Sequence, residues 1–199
     1  MPAIVLNLNS VIKLDAEQFL QLSLSNKDIR MEINAQGKLI LMPPTGGETG
    51  EFNSEINYQL THWNKQASSG KTFDSSIGFS LPNGGDRSPD AAWIKLERWE
   101  ALNEKGKESF PPICPDFVIE LSSKIDNFKQ LQAKMPEYLD SGLRLGWLIE
   151  RYTKIVEIYR QGKEVEVLES PAMVSGEDVL PGFVLRVSAP QTLLTKGLA

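Results

Sequence analysis

Three observations predict an α/β domain built on a mixed β-sheet flanked by helices, with β-hairpins towards both ends of the chain. The apolar run Phe117–Leu121, the helical stretch 126–141 and the apolar run Leu145–Ile149 follow one another as strand, helix and strand. That order describes a right-handed crossover between parallel neighbours. Short β-forming runs flank Asn34-Ala35-Gln36-Gly37, and others flank Gln161-Gly162, as the two strands of a hairpin do. Between them Phe52, Ile56, Leu60 and Trp63 recur at helical spacing, which gives an amphipathic helix able to cover one sheet face.

In chain order, residues 1–14 alternate loosely and read as an extended arm. Asp15 caps a helix that continues through Leu22. Ile29–Ile33 and Lys38–Met42 form the first hairpin, and Gly37 is free to take the positive φ of its turn. Pro43-Pro44-Thr45-Gly46-Gly47 breaks it, and the helix 51–63 follows, with Glu51 and Glu55 one turn apart on an adjacent stripe. Residues 72–79 read as strand or bend, and Asn83-Gly84-Gly85-Asp86 as a turn. Pro89-Asp90 opens the strand Ala91–Ile94, a short helix spans Leu96–Leu102, and 103–112 is a polar loop. Pro115-Asp116 then opens the strand that ends on Glu120 and Leu121. Pro lacks an N–H and biases its predecessor towards extended backbone, so it suits both strand starts. In the helix 126–141 Phe128, Leu131, Met135, Tyr138 and Leu139 face inward, Pro136 predicts a kink, and Gly142 marks the end. The second hairpin joins Ile155–Tyr159 to Val165–Leu168, and Phe183–Val187 is a last strand.

The 199 residues suit one domain, with 41% hydrophobic and 24% charged side chains as in ordinary globular chains. No apolar run is long enough to span a bilayer and no leader peptide is evident, so a cytoplasmic protein with no membrane partner is expected. A single cysteine, Cys114, excludes an internal disulfide, and a single histidine, His62, excludes a two-histidine zinc site. The net charge of −5 argues against a partner held by bulk electrostatics, such as duplex DNA.

The chemistry concentrates on Asp90 and Glu120. Glu120 is a carboxylate on an otherwise apolar strand, and buried carboxylates are rare unless paired or bound to metal. If the two strands are neighbours, Asp90 and Glu120 face each other and can hold a hard divalent cation through oxygen.

This arrangement, two acids on strands followed by a helix and a strand, resembles the metal site of the PD-(D/E)XK nucleases. More closely, the chain is similar to a bacterial family of restriction-endonuclease-like proteins expanded in cyanobacteria. The resemblance is carried by Leu41–Gly47, Phe73–Phe79, Arg87–Asp90, Glu97–Trp99, Pro115–Glu120, Lys134–Tyr138, Arg144–Ile149 and Leu180–Phe183, and spans most of residues 28–187. It implies the restriction-endonuclease-like fold. It also implies a Mg²⁺-dependent endodeoxyribonuclease (Mn²⁺ a possible substitute) that acts on DNA as a homodimer. Asp90 and Glu120 match the superfamily's metal-binding acids. Its lysine two positions after the glutamate is Ser122 here, and Lys134 on the following helix takes that role, with Lys124 as second candidate. Ser123-Lys124-Ile125-Asp126 departs from the family's usual Ser-Pro-Ser-Asp, and Pro136 is unusual inside the helix. Glu55, or Glu51 one turn earlier, matches the extra acidic ligand that the first long helix often supplies.

Plainer readings stand beside these. Asp116 is a strand-start cap, Glu51 and Glu55 a wet helix face, Cys114 a passive thiol without basic neighbours, and Trp93, Trp99 and Trp147 core packing. An alternative of another class is a nucleic-acid-binding or assembly protein that keeps the fold with a weakened site. The missing Glu-x-Lys spacing, Pro136 and the acidic charge favour it. An enzyme acting on a small phosphate compound is a third reading, with no phosphate-loop spacing behind it.

Overall fold

The computed structural model describes residues 3–124 and 126–187, so the first two residues of the predicted arm lie outside it. The arm forms β1 (Ile4–Leu6), and Asp15 then caps α1 (Ala16–Ser25) through a capping box with Gln18. The first hairpin is β2 (Arg30–Ile33) and β3 (Leu39–Met42), turned at Gly37 with φ 74°. Helix α2 (Gly47–Ala67) is longer than the apolar repeat alone indicated, because Gly46 and Gly47 serve as its start rather than as a separate turn. β4 (Gly70–Asp74), β5 (Phe79–Ser80) and β6 (Asp86–Arg87) follow, then β7 (Ala91–Lys95) and α3 (Leu96–Glu100).

The segment 103–112, expected as loop, contains a short helix, α4 (Glu104–Glu108). The Asn103 side chain accepts from Gly106 N at 2.8 Å and initiates it, an N-cap signal hidden in a polar stretch. β8 (Phe117–Ser122), α5 (Phe128–Asp140) and β9 (Leu145–Glu150) complete the crossover, and β8 and β9 are parallel as predicted. Pro136 lies within α5, which runs on through it to Asp140. The chain closes with β10 (Ile155–Arg160), β11 (Glu166–Glu169), β12 (Met173–Ser175) and β13 (Val184–Arg186).

Six strands form the central mixed sheet in the order β11-β10-β9-β8-β7-β4, and five form a second sheet in the order β1-β3-β2-β6-β5. β13 joins neither; it pairs with β12 alone, so Phe183–Val187 ends in a small separate hairpin. Strand alternation divides the central sheet's side chains between two cores. Ala91, Trp93, Phe117, Ile119 and Leu121 pack with Ile56 and Leu60 of α2. Ala92, Ile94 and Val118 pack on the opposite face with Met135 and Tyr138 of α5. Glu120 shares the parity of Val118, so register alone aims it at α5.

Gly70 tests this packing. A Cβ there would lie 2.3 Å from the Ile94 carbonyl oxygen and from Trp93 Nε1, backbone and ring atoms that cannot step aside. Gly70→Ala is expected to destabilise by about 1–3 kcal/mol through overpacking. Gly50→Ala, on α2 with open space around the added Cβ, is expected to stabilise by about 0.5–1 kcal/mol. Urea midpoints of the two variants read opposite signs if the packing is as described.

Candidate active site

β7 and β8 are antiparallel neighbours with Ala91 opposite Ile119, and one further step of that register sets Asp90 opposite Glu120. Asp90 Oδ2 accepts from Leu121 N at 2.9 Å, which ties its carboxylate to the partner strand. Asn57 of α2 donates to the Asp90 backbone carbonyl at 3.0 Å. The two strands that the Pro-Asp starts predicted are thus neighbours, and their pairing brings the two acids together.

α5 supplies the facing groups. Lys134, Glu137 and Tyr138 stand at i, i+3 and i+4 and so share one side of the helix. Lys134 Nζ lies 2.8 Å from Glu120 Oε1, and the Tyr138 hydroxyl donates to the same oxygen at 2.8 Å. Glu120 Oε2 and Asp90 Oδ1 accept no hydrogen bond among the described residues, although Arg30 Nη2 lies 3.9 Å from Asp90 Oδ1.

Glu32, which the sequence did not single out, is the cluster's third acid. It is 1% exposed on β2 and accepts from Lys134 Nζ at 3.0 Å, Arg87 Nη1 at 2.9 Å and Ser88 N at 3.1 Å. Arg87 in turn donates to Glu137 at 2.6 Å. A continuous ionic chain, Glu137–Arg87–Glu32–Lys134–Glu120, thus crosses from the second sheet through α5 to the central sheet. Glu32 alternates with Met31 and Ile33 and so reads as the wet side of a hairpin. Its only signal was an acid opposite Ile40 in a hairpin that was predicted on other grounds.

The other candidates lie elsewhere. Glu51 and Glu55 are exposed, do not line the cleft, and Glu55 accepts from Gln59 at 3.0 Å. Ser122 is buried on the Glu120 side of β8, its hydroxyl donating to Ser123 O at 3.3 Å, and Lys124 is exposed outside the cleft. Asp116 binds Arg98 at 2.9 Å and accepts from Lys95 N at 2.9 Å at the far end of β8. Cys114 is buried, and burial pushes its thiol up to about 12.

Burial and mutual repulsion shape the acidities. Glu120 is raised to about 7: burial dominates, Glu32 and Asp90 add to it, and the pull of Lys134 does not offset them. Asp90 is also raised, chiefly by burial. Glu32 suffers the same burial, but Lys134 and Arg87 outweigh it and lower the group to about 2. Burial works against the charged form of Lys134, and Glu120 with Glu32 still raises it. The donor set fits a hard cation: two free carboxylate oxygens on adjacent strands leave room for water or phosphate, as Mg²⁺ requires. Among the described residues no cluster of three metal-ligating side chains occurs.

Residues 16–188 match the family Uma2, described as "Putative restriction endonuclease". The chain belongs to this family. A solved structure described as a "putative nuclease belonging to DUF820", from Anabaena variabilis, shares 22% identity with it at a TM-score of 0.74, over 87% of this chain and 95% of that one. That likeness places the Uma2 chain in the restriction-endonuclease-like fold. No curated protein matches it. Among the described residues no helix is long and apolar enough to cross a membrane.

The raised acidity of Glu120 has a stability consequence. A carboxyl whose folded value exceeds its unfolded value near 4.5 contributes stability at low pH that is lost as pH rises towards 7. Glu120→Gln removes that loss, so the variant is expected to be more stable than wild type at pH 8 by about 1–3 kcal/mol and close to it at pH 4.5. Denaturant unfolding at the two pH values checks the sign.

Proposed function

We propose that the chain is a metal-dependent endodeoxyribonuclease in which Asp90 and Glu120 hold Mg²⁺, with Mn²⁺ as a substitute, and Lys134 acts on the scissile phosphodiester. The observation that carries this reading is the 2.8 Å approach of Lys134 to Glu120. β8 carries Ser122 where the superfamily carries its lysine, and the Lys134 ammonium, delivered by α5, reaches the same carboxylate from the helix. A bound Mg²⁺ polarises a phosphate oxygen and makes a coordinated water more acidic.

The chain's own residues do the rest. Leu121 N and Tyr138 each fix one oxygen of a carboxylate, and the remaining two, Asp90 Oδ1 and Glu120 Oε2, are left for the cation. An ammonium has three donors, and Lys134 commits two of them, to Glu32 and Glu120. The third is available to a non-bridging phosphate oxygen, where it would stabilise developing negative charge. Glu32 and Arg87 hold that amine in place.

Calorimetry with Mg²⁺ and Mn²⁺, followed by plasmid nicking on the same samples, tests the reading. Wild type is expected to bind metal and nick, and Glu120→Ala to do neither. Lys134→Met is expected to bind metal yet lose about 10²–10³-fold in kcat, as loss of one charge-stabilising donor does. Glu55→Ala is expected to match wild type. Absence of metal binding by wild type would falsify the proposal and leave a nucleic-acid-binding or assembly protein.

A further inference from the structure

The cleft above Asp90 and Glu120 has a volume of about 310 Å³ and a divided wall. Across the second sheet, Val5 of β1 stands opposite Ile40 of β3, and Ile40 opposite Glu32 of β2. One step along, Met42 stands opposite Arg30. All five line the cleft, so the first row passes from apolar Val5 at the sheet edge to charged Glu32, and in the next row apolar Met42 adjoins Arg30. Two strand spacings, about 10 Å, separate the ends of the first row. That is the reach of one nucleotide from its phosphate to the far side of its base.

We infer that this cleft takes an unpaired nucleotide of a DNA strand, its phosphate beside Arg30 and Asp90 and its base against Val5, Ile40 and Met42. The inference rests on the nuclease reading and deepens it. Three observations exclude a continuous duplex. The volume lies at the low end of small-ligand pockets, about 300–1,000 Å³, which suits one nucleotide and not paired strands. Glu120 is 2% exposed, so the reacting phosphate must descend to the floor rather than touch a rim. The cleft's cations are few: the charges of Arg87 and Lys134 are already compensated by ion pairs of 2.6–3.0 Å, whatever donor Lys134 keeps for the reacting phosphate, so only Arg30 and Lys38 bring uncompensated charge to the DNA backbone.

Arg30 is placed for this role. Its Nη2 donates to Ser88 O at 3.2 Å, while its Nε finds no acceptor among the described residues. Its Nη2 also lies 3.9 Å from Asp90 Oδ1, so a phosphate held at that carboxylate would meet the guanidinium. Leu131 and Ala133 of α5 also line the cleft, so a base would lie among apolar side chains, the setting in which enzymes hold bases taken out of the stack. One strand in one cleft needs one site, without the pair of sites that cutting both strands of a duplex demands.

The test measures fluorescence anisotropy of the full chain in Ca²⁺ with a short labelled oligo(dT) and with a labelled duplex of equal length, across a salt series. Oligo(dT) is expected to bind at least about tenfold more tightly. With two phosphate contacts on a single strand its log–log salt slope is expected near about −1.4, against about −5 to −9 for a groove that makes six to ten contacts on duplex. Met42→Glu and Val5→Glu are each expected to weaken oligo(dT) binding about tenfold. Val5 is 43% exposed on an edge strand, so its variant keeps the test open if Met42→Glu fails to fold. Preferential duplex binding with a steep slope, or oligo(dT) binding unchanged in both variants, overturns the inference. Mg²⁺-dependent cleavage by wild type is read separately. If cleavage occurs while the binding predictions fail, the nuclease reading stands and only the substrate class falls. If no DNA is cut, that reading itself is lost.

Discussion

Lys134 is a buried ammonium between two buried carboxylates, and the site depends on that one arrangement. Each of these charges alone would cost several kcal/mol to remove from water, and only close pairing with hydrogen bonds offsets the desolvation. Lys134 meets Glu120 at 2.8 Å and Glu32 at 3.0 Å, one from each sheet, and so it can be accommodated only when the two sheets and α5 are assembled. Arg87 extends the constraint by holding Glu32 and Glu137 at once. The cluster therefore ties the geometry of the proposed site to tertiary packing. Loss of Glu32, the acid that Lys134 and Arg87 both hold, would leave two buried cations short of a partner, which is the expensive outcome for a buried pair.

The same arrangement brings an ammonium to Glu120 although β8 carries no lysine beside it. Ser122 shares the parity of Glu120, so a long side chain there would emerge on the α5 face. The space is served from the other direction, by a residue on the helix that returns the chain to the sheet. The i, i+3, i+4 spacing of Lys134, Glu137 and Tyr138 lets one helical face contact Glu120, Glu32 and Arg87 together. Pro136 lies between them in sequence on the exposed side of α5, where its missing N–H disturbs the helix without entering the ionic cluster.

Charge distribution accounts for an acidic protein in a nuclease family. The net charge of −5 counts carboxylates that are neutralised within the cluster or raised in pKa by burial, so it says little about the field at the cleft. What matters there is which cations remain uncommitted. Arg30 lies on β2, on the same face as Glu32, and Lys38, just before β3, also lines the cleft. In the proposed nucleotide cleft, the apolar residues beyond them would let contact area, rather than bulk charge, contribute to recognition.

Sequence alone determined whatever is local or periodic. Asp15 and its capping box, the turn at Gly37, the α2 stripe and the β8–α5–β9 crossover all follow from propensities and spacings within a few residues. Asp90 and Glu120 were legible because a Pro-Asp start and a carboxylate in an apolar run are local anomalies. Lys134 was legible only through family resemblance, since an isolated helix lysine is ordinarily solvated. Glu32 and Arg87 were not legible: in their own segments each looks like a wet residue on a hairpin or turn. Tertiary structure alone decided that Glu32 and Arg87 meet Lys134 and Glu137 of α5 and are shut away from water. It likewise left Glu51 and Glu55 in solvent, though they sit on a helix of the expected kind. The reason is physical: a buried ion cluster is defined by partners 50 to 100 residues apart in the chain, and no local pattern encodes that proximity.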